Sequence, residues 1–256
     1  DPRITASDWI WSEKDEIKRW ERTAYFIDKT LDFMTRHKGT PCFVNLWPDD
    51  MHTPWVPSAE MQGKNATYNS EYNFNSVLLE YDRQMGRLIQ GLKDIGQYDN
   101  TIIIFTSDNG PAPSFHQKRT NGLRGQKCSL YEGGINMPFF IHWEGHIPVG
   151  HNYNSVLCSV DLFPSLCAMA GVPLPEGYVS SGEDMSAQLM GRSISTRKGD
   201  LMWEYGQNRK NIKAPDQANK YNMSPHLAIR RITRPSRPTH RMRCCSSHSH
   251  RYWRTQ

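Results

Sequence analysis

The sequence has 256 residues, a formal net charge of +5 and six cysteines. This length can bury a sizeable core and fits one large α/β domain, with or without an appendage. No apolar run approaches the roughly 20 residues of a membrane-spanning helix, so no membrane span is predicted. Six cysteines in a chain this long are too few for a disulfide framework. The N-terminus lacks the basic start and apolar stretch of a signal peptide, and we take Asp1 as an arbitrary first residue.

The positive charge is concentrated at the C-terminal end of the chain. Of the 31 Lys and Arg residues, eight are arginines in residues 230–256, a stretch that contains no acid. The first 229 residues therefore hold 23 basic and 26 acidic residues. The basic excess thus belongs to the tail alone, and this distribution argues against a nucleic acid partner. The composition indicates nothing about the oligomeric state.

The first half of the chain predicts two helices and two strands. Residues 12–37 and 71–95 carry apolar side chains at steps of three and four, which is the pattern of amphipathic helices. Cys42–Leu46 and Thr101–Phe105 are uncharged, apolar runs typical of buried strands, the second covered on both faces. A strand, a helix and a second strand form a βαβ unit. The predicted fold class is therefore α/β, a mostly parallel sheet flanked by helices.

The second half predicts a strand at Met137–Trp143 and a short helix at 161–171, with Asp161 as its cap and Gly171 as its stop. We assign residues 1–205 to the main α/β domain and 206–230 to a loop that leads into a small C-terminal subdomain. Residues 231–256 form an aberrant basic tail without helical or strand periodicity, expected to be disordered. This tail binds an acidic partner or a metal, or it is a sequence artefact. We favour the artefact because the composition changes abruptly; the candidate metal ligands are Cys244, Cys245, His248 and His250.

Polar residues follow the Thr101–Phe105 strand directly. Asp108 and Asn109 lie at its carboxyl end, where open α/β sheets bind their ligands. A carboxylate beside an amide carbonyl suits a hard divalent cation such as calcium or magnesium. Asp-Asn-Gly is also ordinary turn chemistry, so these residues alone do not separate a metal site from a plain turn.

Four motifs together resemble the sulfatase family, which belongs to the alkaline phosphatase superfamily. They are Thr106–Pro111, Gly125–Lys127, Tyr131–Gly134 and Met137–Pro138, and the resemblance runs from about Thr40 to Arg230. It implies that Asp108 and Asn109 are metal ligands and that Lys127 contacts the substrate sulfate. A lysine in a glycine-bordered loop could reach back over such a metal toward an anion, although a solvated surface lysine is the ordinary alternative.

His52 lies in a second polar loop, after the Cys42–Leu46 strand. The segments Cys-Phe-Val-Asn-Leu and His-Thr-Pro-Trp-Val-Pro resemble a sulfatase segment that places a histidine just before a proline. The resemblance implies that His52 hydrogen-bonds the ester or sulfate oxygen and helps the alcohol leave, which suits a group titrating near neutrality. The alternative is a loop histidine that bonds only backbone. Asp49 and Asp50 match no family ligand position and are interpreted as loop acids.

The resemblance also implies a formylglycine nucleophile, made from a Cys/Ser-x-Pro-x-Arg motif, and none of the six cysteines lies in such a motif. We therefore expect the chain to be the C-terminal part of an arylsulfatase-like enzyme, with the nucleophile and remaining metal ligands upstream. The intact protein is expected to hydrolyse sulfate monoesters, whereas this segment alone binds metal poorly and does not turn over. By family resemblance, its compartment is periplasmic, secreted or lysosomal.

The substrate and two rival functions stay open at this stage. A sulfated carbohydrate and a small aryl sulfate fit equally well; Phe115, His116, Lys118 and Arg119 either meet that substrate or form a solvated rim. One rival is a phosphoesterase of the same superfamily, which would need two metals; Asn rather than His after Asp108 disfavours it. The other is a non-catalytic, sulfatase-like interaction protein.

Overall fold

The structure is a computed structural model that describes residues 17–62, 69–150, 152, 155–194, 197–205, 224–232 and 242–245. The chain forms two units, Asp1–Thr101 and Ile102–Gln256. Within the described ranges, no helix combines the length and the apolar character needed to cross a bilayer.

Two long helices form the first unit. Helix α1 spans Arg22–Arg36 after a single 3₁₀ turn at Arg19–Glu21, and helix α2 spans Glu71–Asp94. The Ser70 hydroxyl accepts a hydrogen bond from the Asn73 backbone N–H, which explains why α2 begins at residue 71. Both predicted helices are confirmed, although α1 starts later than the pattern indicated, and residues 12–16 lie outside the described part.

Helices α1 and α2 pack closely against each other. Gly91 of α2 leaves room for the Leu31 side chain, which any Cβ at position 91 would overlap. Arg87 of α2 donates to the Ala24 carbonyl at 2.6 Å and pairs with Asp28 at 2.5 Å. Ile27, on the same helix as these partners, is fully buried. Apolar burial and a cross-helix ion pair therefore hold these two helices together.

The strand predicted at Cys42–Leu46 is wrong. This segment has no regular secondary structure, and the Phe43 side chain is 75% exposed. An apolar run indicates that a segment favours burial. A strand also needs a neighbouring strand that accepts and donates its backbone hydrogen bonds. The βαβ unit inferred from this segment is therefore absent from residues 17–62 and 69–150. A 3₁₀ turn at Tyr98–Asn100 ends the first unit.

A two-stranded antiparallel ladder opens the second unit. Strand β1, Ile103–Thr106, pairs with β2, Phe139–His142, and places Phe105 opposite Phe140. Both strands match predicted runs, but the expectation that β1 is covered on both faces is wrong. Phe105 is 39% exposed and Phe140 is 65% exposed, with their ring centroids 6.1 Å apart. Antiparallel pairs commonly leave one face uncovered, which accounts for the exposure.

The core of the second unit packs against β2. In the described part of this unit, three α-helices follow β1: α3, Glu132–Ile135; α4, Leu162–Ala170, after a 3₁₀ turn at Ser159–Asp161; and α5, Ser186–Leu189. Gly171 takes a φ of +68° directly after α4 and ends it, which confirms the predicted helix and its stop. The predicted cap is wrong, because the Asp161 side chain makes no cap hydrogen bond to α4 and accepts from the Cys158 and Glu183 N–H groups instead. The buried cluster is formed by Ile147, Met169, Leu189 and Met190.

A three-stranded antiparallel sheet completes the second unit. Its order is β3, Leu201–Glu204; β4, Leu227–Arg230; and β5, Met242–Cys245. Every strand pair in the described residues is antiparallel. Strand β5 lies within the tail, where the sequence showed no strand periodicity. Of the loop predicted at 206–230, residues 206–223 lie outside the described residues, and the end of it is not loop, because Leu227–Arg230 form β4. His248, His250 and the side chains of Cys244 and Cys245 also lie outside the described residues.

Candidate functional site

Asp108 and Asn109 lie two and three residues beyond the end of β1. The Asn109 side-chain amide donates a hydrogen bond to Asp108 Oδ2, and the Ser107 hydroxyl donates to the Asn109 carbonyl at 3.1 Å. The Asp108 side chain is exposed and the Asn109 side chain is half-buried. The contact between the two side chains leaves two oxygens outside it at the strand end, Asp108 Oδ1 and Asn109 Oδ1.

These two oxygens fit part of a calcium site. Both are hard oxygen ligands, and calcium takes six to eight of them. In the described parts of the chain, no group of three or more His, Cys, Asp and Glu side chains is arranged to hold a metal. The Asp108–Asn109 pair thus offers two ligands, and a bound cation would take its others elsewhere.

Four glycines join the Asp108 loop to the Lys127 segment. The Gly110 backbone N–H donates to the Gly134 carbonyl at 3.0 Å, and the Gly133 N–H donates to the Arg124 carbonyl at 2.7 Å. A Cβ on Gly110, Gly133 or Gly134 would overlap a backbone carbonyl or Cα, and Gly125 has a φ of +81°. Only glycine allows these backbones to approach so closely. The Gly-Gly pair therefore matters because it fixes one loop against another.

Gly134→Ala is expected to destabilise the protein by about 1–3 kcal/mol, because the new methyl group would overlap the Ser129 carbonyl. The matched control is Gly86→Ala, at an exposed helical position where a Cβ meets nothing within 4 Å. The control should gain roughly 0.5–1 kcal/mol from helix propensity. Urea unfolding of both variants measures the difference; equal stability of the two would refute the close packing.

Lys127 is held in a tight turn next to the metal-ligand candidates. Its backbone N–H donates to the Pro111 carbonyl at 2.9 Å. Gln126 and Ser129 close the turn from both sides, through Ser129 N–H to Gln126 O at 3.0 Å and Gln126 N–H to Ser129 Oγ at 3.1 Å. The Lys127 side chain is half-buried, and its ammonium group has no hydrogen bond or ion pair within the described residues. It is available to meet an anion.

His52 lies in the first unit, in the loop between α1 and α2. Its imidazole is exposed, and Nδ1 lies 2.7 Å from the Thr53 carbonyl. A carbonyl oxygen only accepts, so this contact places the proton on Nδ1 and leaves Nε2 for another partner. The Thr53–Pro54 peptide bond is cis.

Two buried arginines hold the His52 loop against the start of α1. Arg19 donates to the His52 carbonyl at 2.8 Å, to the Pro54 carbonyl at 3.0 Å and to the Asp49 carboxylate at 2.9 Å. Arg22 reaches the same carboxylate at 2.5 Å. Sequence reasoning missed this positioning role of Asp49. The available signal was two arginines three residues apart that face an acidic pair across a predicted helix and loop.

Asp50 accepts a hydrogen bond from the Thr23 hydroxyl and is buried. Burial raises the pKa of Asp50, the Asp49 carboxylate raises it further, and the Thr23 hydroxyl opposes the shift. The charged carboxylate is thus disfavoured in the folded protein. The protonated Asp50 carboxyl group therefore favours the folded state. This contribution to stability is fully present below the ordinary pKa of an aspartate and is lost as the pH rises through the raised pKa of Asp50 in the folded protein.

Asp50→Asn should therefore gain stability relative to the natural sequence as the pH rises above about 4. Asparagine keeps an oxygen for the Thr23 hydroxyl and cannot ionise. Melting temperatures of both proteins, measured from pH 4 to pH 8, test this expectation. A difference that stays constant, or that favours Asp50 at high pH, would contradict the direction of the shift.

The structure thus brings three of the four predicted site residues into one unit. Asp108, Asn109 and the backbone of Lys127 are linked through Pro111 and the glycines. His52 belongs to the other unit and has its own supporting contacts. The Asp108–Lys127 segment and the loop that carries His52 are each fixed by hydrogen bonds and present polar groups.

Comparison with known proteins identifies the family. The sulfatase family model matches residues 3–172, more than half of the chain. An N-acetylgalactosamine-6-O-sulfatase of Bacteroides thetaiotaomicron is 31% identical over 77% of this chain and 39% of its own length. Arylsulfatase A of Bos taurus is 32% identical over 68% of this chain and 34% of its own length. The chain thus spans between a third and two fifths of these two relatives.

Solved structures of sulfatases also superpose on this chain. A sulfatase from Bacteroides thetaiotaomicron, described in work on glycosaminoglycan metabolism, superposes with a TM-score of 0.62 at 26% identity, covering 83% of this chain and 42% of that one. A sulfatase from Pseudoalteromonas sp. gives a TM-score of 0.60 at 25% identity, covering 72% of this chain and 37% of that one. These neighbours have the alkaline phosphatase-like fold. The chain belongs to the sulfatase family.

Proposed function

We propose that the whole protein is a sulfuric ester hydrolase that releases inorganic sulfate from a sulfated carbohydrate or a small sulfated molecule. Membership of the sulfatase family supports this reaction, as do the names of both relatives. The observation that carries the proposal is the linked pair of loops, with two oxygen ligands on one and an available ammonium group on the other. We also propose that the whole protein contains a mostly parallel sheet, as the family resemblance implies.

Each of the four candidate site residues then has a distinct role. Asp108 Oδ1 and Asn109 Oδ1 would hold a divalent cation, preferably calcium, beside the sulfate. The family generally uses a divalent metal and a formylglycine, which supply charge neutralisation and the nucleophile when present. Lys127 donates to a sulfate oxygen and stabilises the charge on the transferring group. Because His52 Nδ1–H is bonded to the Thr53 carbonyl, the ring donates from Nε2 only as the doubly protonated imidazolium; in that form His52 Nε2 donates to the ester or sulfate oxygen and helps the alcohol leave.

Sulfate release tests this function. The whole protein is incubated with N-acetylgalactosamine 6-sulfate or an aryl sulfate, with calcium or with a chelator, and free sulfate is measured by ion chromatography. We expect sulfate release that stops when the metal is removed. Phosphate release from the matching phosphate monoester, without sulfate release, would instead assign the protein to the phosphoesterases. No release of either anion would favour the non-catalytic alternative.

Asp108→Ala is expected to weaken calcium binding by about tenfold or more, because it removes the one charged ligand of the pair. Asn109→Ala should weaken it less, since an amide oxygen carries no net charge. Calorimetric titration of the whole protein with calcium measures both affinities. Glu176→Ala, at an exposed position, is the control and should leave the affinity unchanged. Equal affinity in all four proteins would remove Asp108 and Asn109 from the metal site.

A further inference from the structure

Residues 112–126, here named the cationic loop, form a closed loop at the candidate site. The hydrogen bond from Lys127 N–H to the Pro111 carbonyl joins its two ends at 2.9 Å. Inside it, Asn121 N–H donates to the Lys118 carbonyl at 3.3 Å and Leu123 N–H to the Thr120 carbonyl at 3.1 Å. Thr120 is buried. The loop therefore has a fixed internal structure and begins and ends beside the residues proposed to hold the sulfate.

All charged residues of the cationic loop are positive. It contains Lys118, Arg119 and Arg124, and the sequence has no Asp or Glu between residues 109 and 131. The next acid along the chain, Glu132, is paired with Arg230 at 3.1 Å. A concentration of one sign next to an anion-binding lysine raises the local affinity for further negative charge.

The backbone of this loop is held in uncommon conformations. Phe115, His116 and Asn121 have φ angles of +56°, +53° and +52°, a region that residues other than glycine rarely occupy. In the described chain, the one remaining such residue is Cys128, directly after Lys127. Strained residues of this kind cluster at binding sites, where surrounding contacts fix them before the ligand arrives. A pre-formed loop loses less conformational entropy when it binds.

Two of the arginines are fixed in place. The Arg124 guanidinium lies over the Tyr131 ring at 4.0 Å from its centroid, and Arg119 is half-buried. Burial lowers the pKa of Arg119, which shows that water stabilises its charge less than at the surface. A planar guanidinium matches the geometry of sulfate and carboxylate oxygens. Lys118 is exposed and adds a third positive charge to the loop.

We propose that the cationic loop binds a second anionic group, a sulfate or a carboxylate, on the same glycan whose sulfate ester is held by Lys127. This inference rests on the proposed function and narrows its substrate class. The substrate is then a polyanionic sulfated carbohydrate rather than a simple aryl sulfate. The loop contributes to substrate affinity and selection, whereas Lys127 acts on the reacting group.

The test compares three probes by calorimetric titration of the whole protein in the presence of calcium. They are N-acetylgalactosamine 6-sulfate, its 4,6-disulfate, and the 6-sulfated disaccharide that carries a uronate. We expect a Kd roughly tenfold lower for at least one probe with two anionic groups. Preference for the disulfate identifies a second sulfate as the ligand, and preference for the disaccharide identifies a carboxylate.

Variants separate this inference from the proposed function. Lys118→Gln and Arg119→Gln should each remove roughly three- to fivefold of the preference and keep the affinity for the monosulfated probe. Arg192→Gln removes the same charge at an exposed position outside the loop and should change nothing. Lys127→Ala should weaken all three probes alike. Equal binding of the probes, or a preference that survives both loop variants, would overturn the inference; no binding of any probe would contradict the proposed function itself.

Discussion

Replacing Lys127 by alanine should lower kcat/KM of the whole protein for a sulfate ester by roughly 10²–10³-fold. This is the usual effect of removing one donor that stabilises charge on a transferring group. Lys127 is half-buried, and its ammonium group makes no hydrogen bond or ion pair among the described residues, so the substitution breaks no internal ion pair there. Its backbone contact with Pro111 does not depend on the side chain and should persist.

Lys198→Ala is the matched control for this prediction. Lys198 is an exposed lysine of the same unit, and its hydrogen bond to Glu183 is made by the backbone N–H, at 2.8 Å. Steady-state sulfate release by the two variants should therefore differ by the full effect. If Lys127→Ala kept more than about a third of the natural kcat/KM, Lys127 would be an ordinary solvated lysine.

Asp161→Ala should cost about 3–5 kcal/mol of unfolding free energy, because it breaks a buried ion pair. The fully buried Asp161 carboxylate accepts from Arg197 at 3.1 Å, from the Glu183 N–H at 2.8 Å and from the Cys158 N–H at 2.9 Å. Arg197 is 5% exposed, so alanine at position 161 would leave a guanidinium inside the protein with only the Glu183 carboxylate, 3.4 Å away.

Urea unfolding measures this loss, with Glu176→Gln as the control at an exposed position. The control should stay within about 0.5 kcal/mol of the natural protein. Asp161→Asn should lie between the two, since its amide retains one oxygen for the backbone donors. A loss below about 1 kcal/mol for Asp161→Ala would show that the Asp161 network does not hold the second unit together.

The helices were predictable because their patterns are long. Six apolar side chains at helical spacing identified α2, and the structure ends it at Asp94, within one residue of the predicted end. The short helix before Gly171 carried a stop signal that the structure confirms, although Asp161 does not cap it. In each case, local chemistry and burial point to the same structure, so a single sequence suffices.

The strands were harder because their partners lie far away in the sequence. The run at Thr101–Phe105 forms a strand, but its pairing direction comes from residues 139–142, which no local pattern encodes. Cys42–Leu46 has a similar apolar composition and forms no strand. Composition indicates that a segment favours burial, whereas pairing and exposure depend on the neighbour that it meets.

At the candidate site, the sequence predicted the residues but not their supports. Resemblance to the sulfatases pointed to Asp108, Asn109, Lys127 and His52, whose roles stay proposals. The contact between Gly110 and Gly134 brings together backbones 24 residues apart, and glycine in a sequence also marks ordinary turns. Arg19 was equally hidden, because an arginine at the start of a helix is usually solvated rather than buried.

A crystal structure of the whole protein with calcium and sulfate tests the central claim most directly. We expect calcium about 2.3–2.6 Å from Asp108 Oδ1 and Asn109 Oδ1, and a sulfate oxygen within roughly 3 Å of Lys127 Nζ. His52 Nε2 should face the same sulfate. Calcium or sulfate bound away from these side chains, with Lys127 in open solvent, would contradict the claim that the two linked loops act on one sulfate group.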